Sequence, residues 1–143
     1  EKLDLEGEKE VTTLDFSNIN VGNYLLDGWW EKETNLCWTS DKEANLILKT
    51  QEIEKFKYLS FFGSSFHLPQ KMSVIINRRK MGSALIKTDI SEYKIKMSNL
   101  KKGVNTIKFI FSRGFSPADV PLSLNKSSDK RILYCCFRKI SLM

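Results

Sequence analysis

All three tryptophans of this chain, Trp29, Trp30 and Trp38, fall within the stretch 28–38, interleaved with Glu31 and Glu33. An indole offers a wide apolar face and one N–H donor, so it serves a core or a ligand equally well. Laid against the C–H face of a sugar ring, with carboxylates beside it to accept hydroxyl protons, such a set would bind a glycan. Tyr24 stands close enough in sequence to join it. Turned inward, the same rings would plug the end of a folded layer. Neighbours on an extended segment face opposite ways, which points Trp30 to solvent. Trp38 is expected inside, and Trp29 stays open between the two roles.

Asp129 and Arg131 are two residues apart, so they share a face of an extended backbone and can form a bidentate ion pair. The pair could clamp a sugar hydroxyl or carboxylate. The expected role is to pin a loop to the sheet, with Arg131 reaching Glu31. Arg78 and Arg79, with Lys80, Lys101, Lys102 and Arg113, make the only local basic density. It would suit an acidic polysaccharide, phosphate or nucleic acid, while a solvated hairpin tip is the plainer account. Glu31 and Glu33 share a face if extended, as paired carboxylates for hydrolysis would need, and nothing else in the stretch supports that chemistry. The single histidine, His67, has no Ser, Cys or Asp at a spacing that marks a triad. Asp119, Asn125 and Asp129 are too scattered for a calcium loop, and the cysteines lack zinc spacing. No catalytic residue, metal or cofactor is expected.

These residues need positioning, and the pattern that does it is period two. Alternation marks strands at Val11–Phe16, Cys37–Ser40, Ala44–Thr50, Tyr58–Phe66, Lys71–Asn77, Ala84–Lys87, Tyr93–Met97, Val104–Ser112 and Ile132–Leu142. Gly63 marks a bulge or close backbone approach. Asn77-Arg78-Arg79-Lys80 turns a hairpin. In the last strand Cys135 and Phe137 alternate with one parity and Ile140 and Leu142 with the other, so a bulge is expected near Arg138 and Lys139. Only Glu52–Lys57 and Ser91-Glu92 could make a turn of helix. Residues 113–130 form one long irregular loop. About nine strands with short turns give an all-β fold, an antiparallel β-sandwich of jelly-roll type, in a single domain spanning 1–143.

The net charge of +6 raises the prior for anionic partners. Yet the lysines mostly alternate singly, as in Tyr93-Lys94-Ile95-Lys96-Met97, which is the solvent face of a strand. No aromatic pattern of an RNA-binding module accompanies them, so no nucleic acid is expected. No run is long and apolar enough for a membrane span. Cys135 and Cys136 point to opposite faces and would not bridge each other; a Cys37–Cys135 bridge stays open. A reduced, cytoplasmic setting is the default. A chain that starts at Glu1 reads as a piece of something longer.

Several short motifs in order carry a resemblance. They are Gly28-Trp29 with Glu31 and Trp38, then Val74-Ile75-Ile76-Asn77, Asn105-Thr106-Ile107-Lys108-Phe109, and Ser128-Asp129-Lys130-Arg131-Ile132-Leu133. Together they resemble the jelly-roll accessory domain attached to bacterial glycosyltransferases and other proteins of capsule and lipopolysaccharide synthesis. The likeness covers residue 22 to the end. Arg78-Arg79 stands where that pattern has Asn-Gly, and Tyr134 follows the Leu where a small residue is usual. The resemblance implies a non-catalytic module that binds glycan or polysaccharide, or that positions a neighbouring catalytic domain. Its candidate contacts are Tyr24, Trp29, Trp30, Glu31, Arg78, Arg79, Asp129 and Arg131. The rival readings are a protein–protein scaffold and, behind it, a glycan hydrolase or lyase.

Overall fold

A computed structural model of the chain describes residues 9–120 and 128–143. Its strands are β1 (Thr13–Asp15), β2 (Cys37–Trp38), β3 (Glu43–Thr50), β4 (Tyr58–Ser65), β5 (Gln70–Ile76), β6 (Arg79–Ile86), β7 (Ser91–Lys96), β8 (Gly103–Phe111) and β9 (Cys135–Leu142). One sheet runs β1-β9-β4-β7, with β2 also pairing β9; the other runs β3-β8-β5-β6. Every pairing is antiparallel. The order 2-9-4-7 against 3-8-5-6 is that of a jelly roll, with β1 added beside β2.

Alternation buries one face of each sheet. Leu46 and Leu48 of β3, Met72, Val74 and Ile76 of β5, and Ile107, Phe109 and Phe111 of β8 meet Leu59, Phe61, Phe137 and Ile140 from the other sheet. Phe137 is the hub. Its ring stacks on Phe109 at 4.9 Å and takes Phe61 and Trp29 edge-on at 5.8 and 5.7 Å. Truncating a buried phenylalanine of this kind costs about 3–5 kcal/mol. Ile95 and Met97 are buried while Lys94 and Lys96 are exposed, the solvated face that the alternation implies.

The parity change in β9 is a bulge. Phe62 pairs with Lys139 and Gly63 with Phe137, which leaves Arg138 unmatched. Gly63 allows it: a Cβ there would lie 2.5 Å from the Cys136 carbonyl oxygen. The β5–β6 hairpin turns on Asn77 and Arg78 alone, both left-handed at φ 48° and 73°, as a two-residue loop matched to strand twist requires. β6 starts at Arg79, five residues before the expected Ala84.

Neither stretch that could make a turn of helix does so. Residues 52–57 are bends and turns, and Ser91-Glu92 open β7. Instead there are 3-10 turns at Ile19–Tyr24 and Pro117–Asp119. The first was readable as a cap, since the Asn18 side chain accepts from the Asn20 N–H at 2.9 Å. Of the long loop, Pro121 and Asn125 lie outside the described residues. Its base is closed by a Phe115–Leu133 bridge and by the Asp129 carbonyl, which accepts from Ala118 N–H at 2.8 Å.

Candidate functional site

The tryptophan stretch is a small hairpin that closes one side of the sandwich: β2 pairs with β9, and the segment leading into the hairpin bonds to the outer edge of β3. Gly28 opens it at φ 94°, where a Cβ would collide with the Glu43 carbonyl oxygen, so glycine alone allows this approach to β3. Trp29 bridges Thr39, Trp30 N–H donates to the Trp38 carbonyl at 2.9 Å, and Glu33 N–H donates to the Leu36 carbonyl at 2.9 Å to close the tip.

The three indoles part company accordingly. Trp29 turns inward, stacks on Phe16 at 5.8 Å, and donates its N–H to the Asn45 carbonyl at 2.8 Å. Both face and polar edge are taken up by the protein itself. Trp30 faces out but is half-buried rather than exposed. Its N–H donates to the Ile132 carbonyl at 2.8 Å, and the Arg131 guanidinium lies 5.9 Å from its ring centroid. Trp38 corrects the expectation that it is core. It shares Trp30's side of the hairpin, pairs with Cys136 in β9, and is half-buried with Phe66 edge-on at 5.7 Å.

Arg131 grips Asp129 as the spacing implied: Nε lies 3.1 and 3.2 Å from the carboxylate oxygens and Nη2 2.8 Å from one of them. The second acid is a correction. Nη2 lies 3.5 Å from Glu33, not against Glu31. Alternation turns Glu31 from the face that Trp30 presents, and the tight turn at Glu33 brings that carboxylate back. Hydrogen bonds from the Arg131 side chain and N–H hold the Asp129 carboxyl below its usual range, and the side-chain bonds raise Arg131 in turn.

Tyr24 is elsewhere. It is half-buried on the rim of a cleft of about 360 Å³ whose lining includes Glu10, Thr13, Asp15, Asn18 and Asn20 and none of the tryptophans. Its two acids are already engaged: Asp15 accepts from the Ser17 hydroxyl at 2.7 Å and N–H at 3.0 Å, and Glu10 from the Gln51 N–H at 2.8 Å and the Thr50 hydroxyl at 3.0 Å, which keeps both carboxyls low.

The basic cluster also divides. Arg78 lines another cleft, of about 260 Å³, with Asn45, Ile75, Thr106 and Lys108 on the outer face of sheet β3-β8-β5-β6. Arg79 pairs with Ile76, whose side chain faces the core, and so takes the other side. Arg113 sits at the Gln70 end of β5, the opposite end from Asn77. Sequence reasoning missed Asn45, Thr106 and Lys108. The available signal was Ile75, an apolar residue on the otherwise polar face of β5. His67 stands in the β4–β5 turn at φ 70°, edge-on to Phe115 at 4.9 Å. The three cysteines are free and buried, so no Cys37–Cys135 bridge forms. Burial pushes the Cys37 thiol up to about 12 and raises Cys135 and Cys136 as well. Among the described residues no group of His, Cys, Asp or Glu is placed to hold a metal, and no helix is long and apolar enough to cross a membrane.

No family model and no curated protein matches the chain. Solved structures match by shape. An acetyl xylan esterase from the rumen bacterium Butyrivibrio proteoclasticus superposes with TM-score 0.57 at 10% identity over 94% of this chain and 32% of its own. A ruminal GH26 endo-β-1,4-mannanase gives 0.54 at 12% over 96% and 26%. A family 35 carbohydrate binding module from an environmental isolate gives 0.47 at 14% over 94% and 84%, too loose a fit to argue from. The first two likenesses are of fold. The chain spans about a third of the esterase and a quarter of the mannanase.

Proposed function

We propose that this domain is a non-catalytic glycan-binding module serving a bacterial surface-polysaccharide protein, where it holds the glycan or positions a neighbouring catalytic domain. A jelly roll by itself hosts many functions, so the reading rests on one site. Trp30 is presented outward, tied at its N–H to the Ile132 carbonyl and overlain by Arg131, which is itself clamped by Asp129. An outward indole beside an oriented guanidinium and carboxylate offers a sugar both a stacking surface and directional hydroxyl partners, with little ordering left to do on binding. Glu33, drawn against the Arg131 guanidinium, adds an acceptor, while Glu31 is exposed on the opposite face of the hairpin. Trp29 supports the site from behind, and Tyr24 belongs to a separate cleft. Three unpaired thiols support a reducing, cytoplasmic setting.

A panel of neutral and acidic glycans tests this on the purified domain and on Trp30→Ala. Binding weakened tenfold or more in a folded Trp30→Ala protein is the expected result. Unchanged affinity would remove Trp30 from the site, and no binding by any glycan would overturn the reading. A scaffold role has one observation in its favour: Leu85, 65% exposed on edge strand β6. A dimer in light scattering that Leu85→Lys dissolves would decide for it.

A further inference from the structure

The outer face of sheet β3-β8-β5-β6 carries a second feature that the Trp30 site does not use. Across it, Asn45 of β3 pairs with Lys108 of β8, Lys108 with Ile75 of β5, and Ile75 with Lys80 of β6. Ile75 is half-buried and makes an apolar floor, with Lys108, Asn45 and Thr106 around it and Arg78 standing at the hairpin end. The space they enclose, about 260 Å³, is smaller than the roughly 300–1,000 Å³ of drug-sized sites. It suits one sugar unit rather than a length of chain.

Arg78 is an unusual choice for its position. At φ 73° it is the second residue of a two-residue hairpin turn, where glycine is the unstrained solution. The turn is kept in place by Asn77. Its Nδ2 donates to the Asn105 Oδ1 and the Asn99 carbonyl at 2.8 Å each, and its Oδ1 accepts from Thr106 N–H at 3.0 Å. Asn99, also left-handed at φ 71°, donates to the Ile76 carbonyl at 2.9 Å. A rigid turn thus holds a long cationic side chain where the backbone disfavours any side chain at all. Among the described residues Arg78 makes no ion pair, and Lys108 has one, with Glu43 at 3.3 Å, both half in solvent. The other acid near the cleft is Asp27, which accepts from the Asn45 amide at 3.0 Å.

We propose that this cleft binds a carboxylate-bearing sugar unit of an acidic polysaccharide. The Arg78 fork takes the carboxylate bidentately. Lys108 supplies a second charge, the Thr106 hydroxyl and Asn45 amide meet ring hydroxyls, and Ile75 underlies the C–H face. The inference rests on the glycan-binding reading for its ligand class and adds a site and a charge requirement of its own.

The test measures binding of polygalacturonate, its fully methyl-esterified form, a sulfated glycan and a neutral glycan by calorimetry, at low and moderate salt. Arg78→Gly is the informative variant, because glycine is the residue the turn prefers and the fold survives or gains. We expect Arg78→Gly to weaken polygalacturonate at least tenfold, to leave neutral-glycan binding unchanged, and to keep or raise Tm. The methyl ester should bind the wild type no better than it binds Arg78→Gly. Equal polygalacturonate affinity in the wild type and Arg78→Gly would overturn this site, and so would a preference for the sulfated glycan. If neutral glycans still bound and Trp30→Ala still weakened that binding tenfold or more, the broader reading would stand without it. Failure of every glycan would remove both.

Discussion

The Arg131 guanidinium carbon lies 5.9 Å from the Trp30 ring centroid, while the Trp30 indole N–H donates across 2.8 Å to the carbonyl of Ile132, the very next residue. One short segment before β9 therefore holds the indole by its face and its edge at once. Replacing Arg131 by alanine removes a cation–π contact of about 0.5–1 kcal/mol. It also removes ion pairs that, with about a third to a half of each side chain in water, add little more. A Tm drop of about 3 °C is expected by calorimetry, from a loss near 1 kcal/mol. Lysine keeps the charge but not the fork, and should recover only part of it. An unchanged Tm in both variants would mean that Arg131 does not hold Trp30.

Asp129 gives this clamp a pH dependence with a definite sign. Its folded-state carboxyl is held low by Arg131, whereas in the unfolded chain it titrates near pH 3.9. Its contribution is fully present above that unfolded value and disappears as pH falls through the lower folded value. Tm measured from pH 6 down to about pH 2 should therefore fall more steeply for the wild type than for Asp129→Asn. Parallel curves would show that the pair contributes nothing to folding.

The sheet pattern was legible because burial enforces it residue by residue. Ile107, Phe109 and Phe111 could face only one way, and the parity slip after Phe137 located the Arg138 bulge without any coordinate. The site was less so. Alternation separated Trp29 from Trp30 correctly, but it could not show that Ile132, 102 residues away, accepts the Trp30 N–H. Nor could it choose Glu33 over Glu31, which depends on a turn whose hydrogen bond joins Glu33 to Leu36. The Arg78 cleft draws one residue from β3, one from β5, two from β8 and one from a turn. Its membership follows from strand order, and no local window contains it.

Buried thiols give a direct reading of packing. With Cys37 pushed up to about 12 by burial and Cys135 and Cys136 also raised, none should form a reactive thiolate at pH 8. A disulfide exchange reagent is expected to titrate no thiol in the native protein and all three in denaturant. Prompt reaction of one thiol under native conditions would show that the sandwich opens near that strand.

Gln70 tests how the loop after β8 is fastened. Its side chain, 1% exposed, donates to Ser65 Oγ at 3.0 Å and to the carbonyls of Arg113 and Tyr134 at 2.8 and 3.2 Å. Its carbonyl oxygen accepts from the N–H groups of Ser112 and Arg113 at 3.0 and 3.1 Å. Leucine at this position would strand several buried backbone groups at about 1–3 kcal/mol each, so a total loss of about 3–5 kcal/mol is expected in urea unfolding. Glutamate separates the donor from the acceptor function. Its first oxygen still serves the two N–H groups, but an ionised second oxygen would face two carbonyls. Only the protonated acid can donate there, so the folded pKa of Gln70→Glu must rise above the unfolded value near 4.3. A raised folded pKa leaves the variant close to wild type at pH 4 and costs it stability progressively as pH rises. Unfolding midpoints compared with wild type at pH 4 and pH 8 should show that widening gap. A constant difference would mean that the Arg113 and Tyr134 carbonyls do not need the Gln70 amide.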